Sequence, residues 1–499
     1  MPKSKLPFAS GRTPREGRAS RVRLATQWGG AAAAGLLASV VHAQTTSAQA
    51  PAAPADESLT WHGITLYGII DSGIQYNTHS AAFSDYFISG GSDIVQKNSG
   101  NSVIGVTSNP MSQSRIGLQG KESLGFLDFS GIFKLETYFN PASGEITDAL
   151  KSITQNNGRS ITSQSTNIDS SLAGQLFEQS FVGFSSPTYG TLTWGRQNTT
   201  LADLVAKYDP QQTSYAFSLV GLSGTPAGGG DTQDRRLDDS LKYTARYADL
   251  VHLSVHYKFQ NSTAAEYATA GSGEAFSAFE ASVGADYAGV SADVFYTKVR
   301  DAISAGTLTT AQLGALTGTD IAPDKAVAGT VSDNASYGAM ASYSLSGLTN
   351  GSVPVTLFGA YQHISYMNPS IQLNAGFDDI GGYKLGAVSN TTYAKADKIL
   401  KVYWAGARYA LNEHATIAVA YYGEKQDSYA TGALVGCSTA VNGSCSGNLD
   451  VASISFDYRF TKRFDAYCGA MWSAVSDGLS FGYLHTSNVD PTIGARFSF

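Results

Sequence analysis

Apolar and polar residues alternate one for one over long stretches of this chain. Between Val251 and Phe259, the residues Val251, Leu253, Val255, Tyr257 and Phe259 interleave with His252, Ser254, His256 and Lys258. A period of two places these sets on opposite faces of a β-strand. The alternation returns at Phe279, Ala281, Val283, Ala285 and Tyr287 against Glu280, Ser282, Gly284 and Asp286. It returns again at Ile454, Phe456 and Tyr458 against Ser453, Ser455, Asp457 and Arg459. One wet face and one apolar face also suit a soluble sandwich, so no single strand decides between the two. The connections do.

Read along the chain, strands fall at about 58–77, 111–121, 127–139, 175–186, 188–196, 234–245, 250–261, 275–288, 289–300, 333–346, 352–365, 399–411, 413–426, 447–460, 463–476 and 490–499. The links between them alternate between long and short. The short ones hold turn residues such as Glu122-Ser123-Leu124-Gly125, Ser186-Pro187, Tyr247-Ala248-Asp249 and Asn412-Glu413. An even number of antiparallel strands, with tight turns at one rim and long loops at the other, is the construction of bacterial outer-membrane barrels. No apolar run reaches the eighteen or more residues of a membrane helix, so a membrane-spanning form of this chain has to be a closed barrel. The expected fold is therefore all-β, a sixteen-stranded antiparallel transmembrane barrel over 59–499. Tyr257, Phe259, Tyr287, Tyr343, Tyr409, Tyr421, Tyr458, Phe460, Phe497 and Phe499 cluster at strand ends, where interface girdles lie.

The first residues place the protein outside the cytoplasm. Lys3, Lys5, Arg12, Arg15, Arg18, Arg21 and Arg23 precede the short apolar stretch Ala31 to Val41, and Val41-His42-Ala43 offers a small-residue cleavage site. Residues 1–43 thus read as a secretory signal. Residues 44–58, QTTSAQAPAAPADES, read as a flexible leader. Without 1–43 the chain keeps 26 Lys and Arg against 39 Asp and Glu, a net charge of −13. Nucleic acid is an unsuitable partner for such a surface, because binding it depends on basic groups displacing counterions.

Several short motifs resemble the Gram-negative general-diffusion porins, and in particular the trimeric β-proteobacterial type. Leu66-Tyr67-Gly68-Ile69-Ile70-Asp71-Ser72-Gly73 resembles their first strand, and Ser114-Arg115-Ile116-Gly117-Leu118-Gln119-Gly120 their second. Phe181-Val182-Gly183-Phe184 and Tyr189 to Gln197 resemble the fourth and fifth, Leu241-Lys242-Tyr243 the sixth, and Gly494 to Phe499 the end of the chain. The resemblance implies a homotrimer in the outer-membrane lipid, with a third long loop, here 197–233, folded inward to narrow a channel for small hydrophilic solutes and ions. It also implies that Phe499 is read by the outer-membrane assembly machinery.

Family carry-over puts basic wall residues at Arg115 and Arg236, which the alternation also turns inward. Around Arg236 the pattern sends Leu237, Leu241 and Tyr243 to lipid, and Arg236, Asp238, Ser240 and Lys242 to water. Where β-proteobacterial relatives carry arginine before the fourth strand, this chain has Glu178. That breaks the basic cluster of the expected constriction wall, Arg115, Glu178, Arg236 and Lys242. Asp203 and Asp209 are the acidic candidates on the constriction loop, and either can instead cap a turn.

Selectivity is expected to come from the charged constriction rather than from a catalyst. His252 and His256 are four apart, which on a strand separates them by about 13 Å and prevents them from sharing an ion. They read as solvated lumen histidines. The glycines between 221 and 230 lack the lysine of a phosphate loop. No enzyme activity, metal or cofactor is expected. The alternative function is a substrate-specific channel. Of three cysteines, Cys437 and Cys445 are expected to pair across the long loop 427–446, on the oxidising side of the membrane, leaving Cys468 free.

Overall fold

The computed structural model describes residues 59–80, 94–95, 100–142, 144, 177–222, 235–259, 277–305, 327–347, 353–367, 379–380, 383–384 and 397–499. The expected signal 1–43 and leader 44–58 lie outside them.

Sixteen strands follow in order: β1 (Ile64–Asn77), β2 in two pieces (Val103–Ser108 and Arg115–Ser123), β3 (Ser130–Tyr138), β4 (Gln179–Ser186), β5 (Gly190–Asn198), β6 (Arg236–Tyr247), β7 (Val251–Lys258) and β8 (Ser277–Tyr287). The second half comprises β9 (Val290–Ala305), β10 (Val327–Ser344), β11 (Val355–Met367), β12 (Lys398–Ala410), β13 (Ala415–Gln426), β14 (Gly447–Arg459), β15 (Phe464–Asp477) and β16, again in two pieces (Ser487–Val489 and Thr492–Ser498). Each strand pairs antiparallel with the next, and β16 returns to β1 with Ile69 opposite Ser498 and Gln75 opposite Thr492. The sheet is thereby closed and leaves no edge.

Tight turns set the register. Ala288 and Gly289 both take positive φ (50° and 83°), the backbone of a two-residue hairpin between Tyr287 and Val290. At the seam, the Phe499 amide donates to the Gly68 carbonyl (3.0 Å) and the Gly68 amide to Phe499 (2.9 Å). The Phe499 ring lies against Gly68, where a Cβ would come within 2.4 Å of it. The last residue is thus packed into the closure of the barrel.

The two faces of the wall differ as alternation demands. On β7, Val255 and Tyr257 are 40% and 42% exposed, while His256 between them is 0% exposed. Leu66, Ile116, Val182, Val294, Leu357 and Ile454 likewise lie on the outside of their strands. Such an exposed apolar belt belongs in hydrocarbon. Eight of the ten girdle aromatics are exposed, seven of them at strand ends and Tyr421 in the middle of β13, and Tyr343 and Phe499 are half-buried.

Two expectations about facing need correction. Leu237, expected on the lipid side, is buried against Ala278 and Val299. The cause is a bulge: the β5–β6 register shifts between Gly195 and Gln197, and Asp239 takes φ 48°, so the alternation changes phase. His256 faces inward but is not solvated, since it is fully buried with Nδ1 3.1 Å from Glu280 Oε2.

Candidate functional site

The link between β5 and β6 enters the barrel. Thr199 caps a helix, α1 (Thr200–Tyr208), by accepting the Ala202 amide through its side chain. Leu201, Leu204, Val205 and Tyr208 recur at helical spacing and are buried against Met340, Ile364, Val402, Trp404 and Tyr422 of the inner wall. Each aliphatic side chain so buried contributes about 1.5–3 kcal/mol. Tyr208 donates to Asp293 on β9 (2.5 Å), and burial together with that carboxylate pushes its phenol well above the usual tyrosine range.

Beyond α1 the loop follows the wall. Gln211 bonds Ser453 and Ser455 on β14, Phe217 packs edge-on against Tyr467 on β15, and the Ala216 amide donates to Pro110 (2.9 Å). Pro110 belongs to the interruption of β2 at 109–114, which is turned inward where Asp71 accepts the amides of Met111 (2.8 Å) and Ser112 (2.6 Å). A second short helix, α2 (Leu219–Leu222), follows. Most of the glycine run at 221–230 lies outside the described residues.

The wall of β2 to β6 carries a dense group of charges. Arg115 and Lys134 both lean on Glu136, at 3.7 and 3.4 Å, and Glu136 also accepts from Tyr67 (2.8 Å) and Gln179 (2.8 Å). Glu178 sits between Arg196 (3.3 Å) and Arg236 (3.5 Å). Arg236 donates to the Tyr138 hydroxyl and stacks over that ring, 4.5 Å from its centroid, while Arg196 also pairs with Asp238. Lys242 meets Asp203, which projects from the first turn of α1 and accepts from Asn198 (3.1 Å). Tyr215 of the loop is buried beside Arg235 and Arg236, and that burial raises its phenol.

Arg236 is therefore paired with Glu178, and Lys242 with Asp203, on one stretch of the wall. Arg115 lies on the same wall but takes Glu136, not Glu178, as its carboxylate. Asp209 is on the inward loop, yet its carboxylate is fully buried. It accepts the amides of Gln211 (3.1 Å) and Thr213 (2.6 Å) and the Tyr422 hydroxyl (2.5 Å), closing a turn rather than facing the passage. Sequence reading passed over Lys134, Glu136 and Tyr138, although they alternate on β3 in phase with the wet face. It also passed over Arg196, which the Gly195 bulge (φ 126°) conceals. Five cations, Arg115, Lys134, Arg196, Arg236 and Lys242, interleave with four carboxylates, Glu136, Glu178, Asp238 and Asp203, so the local field is largely cancelled pair by pair.

Cys437 and Cys445 are joined in a disulfide, their Cα atoms 4.8 Å apart, and Cys468 on β15 is unpaired and exposed. Among the described residues no cluster of His, Cys, Asp and Glu has the arrangement of a metal site.

Residues 30–478 match the family model described as Gram-negative porin. The chain is 29% identical over 161 residues to an outer membrane porin protein of Bordetella pertussis, a match covering 32% of this chain and 34% of that protein. The matched stretch thus spans about a third of the curated relative. Among solved structures, an anion-selective porin from Comamonas acidovorans is similar with a TM-score of 0.55 at 17% identity, covering 87% of this chain and 99% of the other. The outer membrane protein OmpT of Vibrio cholerae, folded in vitro and in its trimer form, is similar with a TM-score of 0.52 at 12% identity, over 87% and 99% of the two chains. Likeness at these identities speaks for the fold.

Proposed function

Because this chain belongs to the Gram-negative porin family, we propose that it forms a water-filled channel in the outer membrane through which small hydrophilic solutes and ions diffuse passively. The observation that carries this reading is the loop folded inside the closed barrel and packed on its inner wall; in this reading the charged wall of Arg115, Glu136, Glu178, Arg236 and Lys242 borders the passage. Filtering then follows from the width left by the loop and from the charges along it. With five cations against four carboxylates held within salt-bridge distance, the wall gives a weak anion preference instead of the strong one of an all-basic cluster. Residues 1–43 act as the export signal, 44–58 as a leader, and Phe499 as the feature read during assembly. Homotrimers fit this reading, as the Vibrio cholerae protein is described in a trimer form, and cross-linking that captured only monomers in mild detergent would exclude them.

A substrate-specific channel is the second reading, favoured by the Tyr138 ring beneath Arg236. Liposome swelling separates the two. A general channel admits neutral sugars at rates that fall steeply with size and do not saturate, a specific one saturates for a single solute, and liposomes that swell with none of them would refute the channel.

A further inference from the structure

The end of α1 is held by three residues of one strand. Trp404, Gly406 and Arg408 lie two apart on β12 and so share its inward face. Trp404 Nε1 donates to the Tyr208 carbonyl (3.0 Å). Arg408 donates through Nη2 to the carbonyls of Asp209 (3.2 Å) and Pro210 (2.9 Å), and through Nε to Pro210 again (3.3 Å). Between them Gly406 leaves room for the proline ring, because a Cβ there would come 2.4 Å from Pro210 Cγ. The Arg408 guanidinium also covers the ring of Phe358, 5.1 Å from its centroid.

These contacts meet a particular need of a helix end. The last carbonyls of a helix have no partner within it and carry partial negative charge, which a cation stabilises. Trp404 takes the carbonyl of the last helical residue, and the planar fork of Arg408 takes those of the cap residue Asp209 and of Pro210 just beyond it, a geometry that an ammonium does not offer. Among the described residues no carboxylate lies within salt-bridge distance of Arg408, so its donors are directed to the loop backbone. The other end of α1 is braced with the opposite sign: Glu280 on β8 accepts the Thr200 amide (2.5 Å) and faces His256. A carboxylate at the first turn and a guanidinium beyond the last are the signs that the helix dipole favours at each position.

We infer that Trp404, Gly406 and Arg408 form a cradle that fixes the constriction loop against the wall, and that Arg408 is the positioning residue that sets the open cross-section of the pore. The inference rests on the channel reading and deepens it. The loop is then a fixed part of the interior, held along its length by several strands, with this cradle securing the end of α1.

Single-channel recording of the full-length protein in planar bilayers tests it, with Arg408→Ala, Arg408→Lys and Trp404→Phe beside the wild type. The Phe variant keeps the ring and removes one donor. Arg408→Ala should insert and conduct but show excursions above the wild-type conductance. Their share of open time should rise at least about tenfold, a factor equivalent to about 1.4 kcal/mol, and larger sugars should pass in the swelling assay. Trp404→Phe should move the same way by less, and Arg408→Lys should fall between alanine and wild type, because a lysine keeps the charge but not the fork. If Arg408→Ala fails to insert, the other two variants decide. Wild-type conductance, noise and exclusion limit in every variant that inserts would overturn the cradle, whereas a wild-type protein that inserts and stays silent would overturn the channel itself.

Discussion

Glu178 stands between two guanidinium groups, 3.3 Å from Arg196 and 3.5 Å from Arg236, and its charge should be felt directly in ion selectivity. Replacing it with glutamine keeps its size and leaves both arginines without that carboxylate. The reversal potential in a salt gradient should move toward anions at low salt, and the shift should shrink at 1 M, where the Debye length is about 3 Å. An unchanged reversal potential in a conducting channel would place Glu178 away from the narrowest wall. Arg236 and Lys242 were legible in the sequence because strand alternation and a familiar motif agreed on which way each points, whereas Glu178 was picked out only as a departure from that motif. Arg196 was not, since a bulge breaks the period on which facing arguments depend, and the same bulge family turned Leu237 inward. Nor did the residues separate the two loop aspartates. Asp203 reaches Lys242 and Asp209 closes a turn only because the first sits in the opening turn of a nine-residue helix and the second caps its end, so each carboxylate is oriented differently.

That helix was itself within reach of the sequence. Leu201, Leu204, Val205 and Tyr208 recur at i, i+3, i+4 and i+7, the stripe of an amphipathic helix. It escaped because the stripe spans little more than two turns, and because a pore wall is expected to be wet. The inner faces of β10 to β15 instead offer Met340, Ile364, Val402, Trp404 and Met471 as a surface on which to pack it. The breaks in β2 and β16 were equally hidden, as Asn109-Pro110 and Asp490-Pro491 read as loop ends rather than as interruptions within a paired strand. At the link between β13 and β14, Cys437 and Cys445 enclose a short loop whose closure in the unfolded chain is worth about 2–3 kcal/mol of entropy. Protein purified without reductant should show both thiols oxidised and Cys468 free by mass spectrometry. Recovery of both loop thiols in free form would contradict the pairing.

At the scale of the whole molecule, sixteen strands and their order followed from alternation and from the rhythm of long and short links, because a closed barrel leaves each strand one lipid face and one lumen face to satisfy. What a linear pattern cannot carry is how the interior is divided, with apolar inner faces on β10 to β15 against which the loop packs and a dense group of charges on β2 to β6. The proposed channel requires a passage open to water through the barrel. The measurement that addresses this most directly is the conductance of the purified wild-type protein in a planar bilayer. Addition of protein should produce discrete upward current steps, with a conductance that grows with salt concentration without saturating. Protein shown to have inserted, yet carrying no current across the same voltage range, would contradict the account.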